Sequence, residues 1–171
     1  MPTKIFCFCS ARIYVFLFLL MLVSCSQQNK EIAELVTLDE ADTRAVFVLS
    51  GLYPTEGSTS DRWRWGIGDS SRLYFYMDNP GPVIISGAFE NPHLRQSMIF
   101  TLNGQSLLTL SDLPKNENKS APLVFSIEGN AIQGRNILEI SYSHWTGQEG
   151  SSSTDTRRFA VKYRNFTISM K

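Results

Sequence analysis

From Arg44 onward this chain never sustains a helical period. Short apolar or alternating runs follow one another instead: "RAVFVLSG", "DRWRWGI", "SRLYFYM", "PVIISGAFE", "SMIFTLN", "SLLTL", "PLVFSIE", "NILEISY" and "RRFAVKYRNFTISM". Turn residues punctuate them in "DNPGP", "ENPH", "LNGQ", "SDLPKNENKS" and "EGNAIQGR". Many short strands at such spacing leave few architectures open. The pattern predicts an all-β fold, an antiparallel β-sandwich of jelly-roll type, over residues 44–171.

Alternation names the inner faces, because successive side chains of a strand point to opposite sides. Leu73, Phe75 and Met77 share one face, as do Leu123, Phe125 and Ile127, and Leu138, Ile140 and Tyr142. In the last run Phe159, Val161 and Tyr163 alternate, and the phase then slips to Phe166, Ile168 and Met170. A β-bulge near Arg164 and Asn165 accounts for that slip. Asn103-Gly104 suits a two-residue hairpin. It sets Leu107 opposite Phe100 but turns Leu108 and Leu110 outward, so a longer loop or burial of both faces is expected there.

The N-terminus is a different kind of segment. Lys4 and Arg12 precede an unbroken apolar run, Ile13 to Val23. A mature spanning helix wants roughly 20 apolar residues, and this run has the length and flanks of a signal-peptide core. It ends in "LVSC", which resembles a bacterial lipobox. The resemblance implies removal of residues 1–24 and acylation of Cys25, with residues 25–43 a flexible tether reaching up to roughly 60 Å. Within the tether "EIAELVTLDEAD" is expected to form a short helix. By similarity to lipoproteins of diderm bacteria, Ser26 directs the chain to the outer membrane. Several acyl chains are needed to hold it there, since one binds marginally.

Cysteine usage agrees. The only cysteines are Cys7, Cys9 and Cys25, so the mature chain has no partner for a disulfide and no cysteine metal site. Loss of Lys4 and Arg12 leaves fourteen basic side chains against sixteen acidic ones. No basic run remains, which argues against nucleic acid as a partner. The histidines are His93, in a Pro-flanked turn, and His144, before Trp145 in "SYSHWTGQ". There is no GxSxG elbow and no HExxH pair. The reading is therefore of a non-enzyme, with no cofactor or metal.

Aromatic residues carry the stronger signal. Tyr74 and Tyr76 alternate with the core residues of their strand and point away from that core. Trp145 and His144 sit in a Gly- and Ser-rich loop. These four are the ligand-binding candidates, because aromatic rings stack on sugar faces while neighbouring polar groups bind hydroxyls. The alternative is that the tyrosines merely suit a strand. Trp63 and Trp65 share one face of an extended chain, with Arg62 and Arg64 on the other.

The stretches "GLYPTEGSTSDRWRWGIGD", "FTLNGQ", "GRNILEISY" and "STDTRRFAVKYRNFTI" resemble, in order, the motifs of a β-sandwich module. That module is attached to some bacterial glycosyltransferases and polysaccharide-biosynthesis proteins. Phe159-Ala160 departs from its Leu-Gly. The resemblance implies a glycan setting. It also implies that the acids Glu56 and Asp155 lie near Arg64, Arg157 and Arg158, pinning loops through carboxylate–arginine pairs. Trp63 and Trp65 then pack inward as the lid of the core; the alternative is a ligand platform. The expected function is a cell-envelope lipoprotein that binds or organises carbohydrate, in polysaccharide assembly, export or surface display. The alternatives are a structural adaptor binding an envelope protein and, weakest, a glycan-modifying enzyme.

Overall fold

Turn chemistry and alternation place eleven strands in the computed structural model, which describes residues 31–34, 49–116, 121–147 and 156–171. They are β1 (Glu31–Glu34), β2 (Leu49–Ser50), β3 (Glu56–Ser58), β4 (Asp61–Ile67), β5 (Ser70–Met77), β6 (Gly81–Glu90), β7 (Gln96–Leu102), β8 (Gln105–Leu113), β9 (Leu123–Ala131), β10 (Gly134–Tyr142) and β11 (Phe159–Met170). One sheet runs β3-β4-β11-β6-β9, with β1 also on β11. The other runs β2-β5-β10-β7-β8. Every pairing is antiparallel. The all-β sandwich is as the sequence predicts.

The alternating faces close on one another. Leu73, Phe75 and Met77 meet Leu138, Ile140 and Tyr142 within the second sheet, and Val83, Ile85, Phe89, Phe125, Phe166 and Ile168 come from the first. Phe125 centres an aromatic cluster, 4.8 Å from Phe100 and 5.5 Å from Phe166 between ring centroids. A hydroxyl chain crosses between the sheets inside this apolar mass. Tyr163 meets Tyr142 at 2.7 Å, Tyr142 donates to Ser71 at 2.8 Å, and Ser71 donates to the Gly51 carbonyl at 2.6 Å.

The predicted bulge is present. The register of β11 against β6 shifts between Tyr163 and Asn165, so Val161 and Tyr163 face inward before it and Phe166 and Ile168 after it. Two expectations are corrected. Phe159 does not share the inner face with Val161, because the register against β4 also shifts between Phe159 and Lys162. Its ring lies 4.5 Å from Trp65 on the outer side. Within the tether, residues 31–34 form a strand on β11 rather than the start of a helix, completing the edge that β4 leaves open at Thr167–Ser169. Cys25, the signal run and most of "RAVFVLSG" lie outside the described residues.

The Asn103-Gly104 turn is the expected two-residue hairpin, with positive φ at both positions (52° and 81°). The leucine conflict is resolved by a register shift between Phe100 and Thr101, which sets Phe100 opposite Leu108 and Met98 opposite Leu110. Leu107, Leu108 and Leu110 all pack on the core as a result. A bulge thus does what a longer loop was expected to do.

Candidate functional site

The "RWRW" strand behaves opposite to expectation. Arg64 and Gly66 take the inner side of β4, while Trp63 and Trp65 lie half-buried on the outer face of the first sheet. The cause is steric. A β-carbon on Gly66 would lie 2.7 Å from the Tyr142 hydroxyl, so the inward space is already filled by the crossing tyrosines. Gly51 makes the corner that leads into this strand. Its φ is +73°, and a β-carbon there would strike the Ser70 carbonyl at 2.1 Å, so only glycine turns the chain from β2 to lie along β4.

Outside, the indoles are covered rather than offered. Lys162 Nζ lies 4.4 Å from the Trp63 ring centroid and 5.8 Å from that of Trp65. The Arg164 guanidinium lies 5.3 Å from Trp63. Both cations reach Glu90, at 3.4 Å from Lys162 Nζ and 2.6 Å from Arg164 Nε, and Glu90 is itself buried. Arg164 also binds Asp61 at 2.7 Å. Phe159 continues the strip under Arg157, whose guanidinium sits 4.3 Å above its ring. These contacts form a small outer core with its charges matched.

Among the described residues Arg157 meets the acid–arginine expectation, reaching Glu56 at 3.3 Å. Arg64 donates to the Tyr53 carbonyl at 3.5 Å. Arg158 packs over Trp145 at 5.4 Å. Asp155 lies outside the described residues.

Trp145 is half-buried against the core edge, and His144 is exposed with Nδ1 2.8 Å from Ser143 Oγ. What builds this loop is Gln96, which is fully buried. Its Oε1 accepts from the backbone N–H groups of Ser97, Ser143 and His144, each at 3.0 Å, and its Nε2 donates to the His144 carbonyl at 2.7 Å. No sequence signal marks it, since a glutamine at a strand start reads as solvent-facing. His93 keeps its turn role: its N–H donates to Asn91 Oδ1 at 3.0 Å and its Nε2 lies 2.9 Å from the Phe159 carbonyl oxygen. Among the described residues no cluster of three His, Cys, Asp or Glu side chains suits a metal ion.

The outer face of the second sheet is different in kind. Tyr74 is half-buried and Tyr76 is 58% exposed, on a strand that pairs with β10 along its whole length. Arg72 lies in line with them and pairs with Glu139 across the strands, Nη2 to Oε1 at 2.8 Å. That hydrogen bond, then the carboxylate charge, raises the Arg72 pKa above its ordinary value, so it stays a cation. The Arg135 guanidinium lies 5.7 Å from the Tyr74 ring. The face combines open aromatic surface with two fixed guanidiniums and a carboxylate.

No protein-family model matches the chain, and no curated protein does. Among solved structures it is similar to a carbohydrate binding module of lichenase 5A from Cellvibrio mixtus in complex with cellotriose, at 13% identity and TM-score 0.47, over 82% of this chain and 98% of that one. A family 35 carbohydrate binding module from Clostridium thermocellum gives 10% identity and TM-score 0.47, over 80% of this chain and 97% of that one. An exo-β-1,3-galactanase from Phanerochaete chrysosporium with β-1,3-galactotriose gives 12% identity and TM-score 0.44; 71% of this chain matches 27% of that longer one.

Proposed function

We propose that this chain is a non-catalytic, lipid-anchored carbohydrate-binding protein of the cell envelope, engaged in polysaccharide assembly, export or surface display. The observation that carries the reading is the pair Tyr74 and Tyr76 on the open face of the second sheet, with Tyr76 58% exposed. Rings held on a strand that pairs with β10 along its whole length are rigid, so stacking a sugar on them costs little ordering. Arg72, Glu139 and Arg135 stand within the same face to bind hydroxyls. Anchoring is by acylated Cys25, in the outer membrane. Mass spectrometry of the membrane-extracted protein is expected to show a lipidated N-terminal Cys25, and Cys25→Ser is expected to move the protein to the soluble fraction. A glycan array probed with that soluble variant tests binding. Wild-type-like binding by Tyr76→Ala on every glycan would reject the site.

A second reading, a structural adaptor for an envelope protein, is favoured by one edge. Among the described residues β9 has a single hydrogen-bonded neighbour, β6, and its Val124 is 79% exposed. The strand carries neither Lys nor Pro to blunt that edge. Crosslinking through a probe placed at Val124 in cells distinguishes it: a specific protein adduct supports the adaptor, and its absence removes it.

A further inference from the structure

We infer that the Tyr74–Tyr76 face takes an anionic sugar, and that Arg135 binds its acidic group, carboxylate or sulfate. The inference rests on the glycan reading above and narrows it to a chemical class. Two guanidiniums stand on this face, and they are not equivalent. Arg72 is compensated: its Nε and Nη2 both donate to Glu139 Oε1, at 3.0 and 2.8 Å, from directly across the strands. Arg135 is exposed, and among the described residues its side chain has no carboxylate partner. Its guanidinium faces the Tyr74 ring. The face therefore carries one unmatched positive charge, on a mature chain whose acids outnumber its bases.

The geometry suits the task. Arg135 stands directly opposite Tyr76 in the register. Side chains so paired start about 4.5–5.5 Å apart, so a sugar ring stacked on Tyr76 brings its exocyclic acid to the guanidinium. The guanidinium stands 5.7 Å from the Tyr74 ring centroid, within cation–π reach. It is weakly hydrated and shaped to meet a two-oxygen acid with parallel hydrogen bonds. On the other sheet Lys162 and Arg164 also lie on rings, but Glu90 and Asp61 have taken their charge. On the outer face of the second sheet Arg135 is the ring-facing cation left open to a ligand.

The test uses the mature chain with Cys25→Ser. It is measured against an immobilised panel of uronate-bearing and sulfated oligosaccharides, and against the same panel after carboxyl reduction or desulfation. Wild type is expected to bind at least one acidic member about tenfold more tightly than its neutralised counterpart, the scale of one charge-assisted hydrogen-bonded contact. Arg135→Gln is expected to lose that factor on the acidic member and to leave the neutralised one unchanged. Glu139→Gln, which releases Arg72, is expected to tighten acid binding. Loss confined to uronates or to sulfated members assigns the acid. Equal wild-type binding before and after neutralisation, or an Arg135→Gln variant that still discriminates, overturns the inference and leaves the glycan reading standing. If the wild type binds nothing on either panel, both fall.

Discussion

The two outer faces of this sandwich carry similar residues and do opposite things. The first sheet shows Trp63, Trp65 and Phe159 with Lys162, Arg164 and Arg157 above them. The second shows Tyr74 and Tyr76 with Arg135 and Arg72. On the first face a buried carboxylate, Glu90, draws two cations down across the rings, and the aromatic surface is consumed by the protein itself. On the second, Glu139 draws in only Arg72, and Tyr76 remains bare. An aromatic strip with cations is a site or a structural strap depending on where the carboxylate lies and whether the strands bring it under the cations.

The sharpest way to break the comparison is to remove a ring from the closed face. Trp65→Ala deletes a half-buried indole stacked 4.5 Å from Phe159 and leaves Lys162 without part of its support. It is expected to destabilise by about 2–4 kcal/mol, somewhat under the cost of emptying a fully buried site. Against a typical total of about 5–15 kcal/mol, denaturant titration resolves this easily. Glycan binding by the folded fraction is expected to be unchanged. A stable Trp65→Ala variant with lost binding would move the site to the first sheet.

Next in size is an alkaline effect that belongs to neither face but to the hydroxyl chain between them. Burial pushes the Tyr142 phenol up to about 12, against the opposing effect of its hydrogen bonds to Ser71 and Tyr163. Burial, then the neighbouring Tyr142, raises Tyr163 well above its ordinary 10. In the unfolded chain both ionise near 10, so the folded state holds more protons above that pH. Stability is then full below about pH 10 and falls as pH rises toward 12, by on the order of 2–3 kcal/mol for Tyr142 alone. Tyr142→Phe is expected to lower stability at pH 7, because Tyr163 loses its partner, and to flatten the alkaline slope. An unchanged slope would show that these phenols are not the groups responsible.

Much of the fold was legible because it rests on period two. The faces of β5, β9 and β10 follow directly from alternation, and the slip in β11 announced its bulge at Arg164–Asn165. The failures share a cause. Alternation says which residues share a face, not which face is inside. For "RWRW" hydrophobicity pointed inward, but Tyr142 from a distant strand fills the space at Gly66, and the inner side of the strand is left to Arg64 and Gly66. Alternation leaves the leucines of β8 open between a longer loop and burial of both faces, because a bulge shifts register without leaving a turn residue to announce it. Tyr74 and Tyr76 were correctly turned outward, since their strand neighbours Leu73, Phe75 and Met77 are apolar without exception. Gln96 could not be found, because its role is to satisfy backbone groups 47 and 48 residues away.

The smallest effect on stability carries the most information about function. Tyr76 projects near the end of an otherwise well-packed strand, and its immediate strand neighbours Phe75 and Met77 hold the core without it. Tyr76→Ala therefore removes almost no buried contact. Its cost is expected to stay within about 0.5 kcal/mol, the usual range for a surface change away from caps, cavities and buried polar groups. Arg135 rests on Tyr74 rather than Tyr76, so the cation should keep its place. Binding is another matter, since covering the exposed ring with the apolar face of a sugar is worth about 1–2 kcal/mol at ~25 cal/mol per Å², or roughly a tenfold loss. Paired with Trp65→Ala, the variant gives a double dissociation: one ring removed with stability lost and binding kept, the other with stability kept and binding lost. Melting curves and glycan titrations on the two variants read it directly. If Tyr76→Ala melts early, the ring is structural after all, and the open face is no more a site than the closed one.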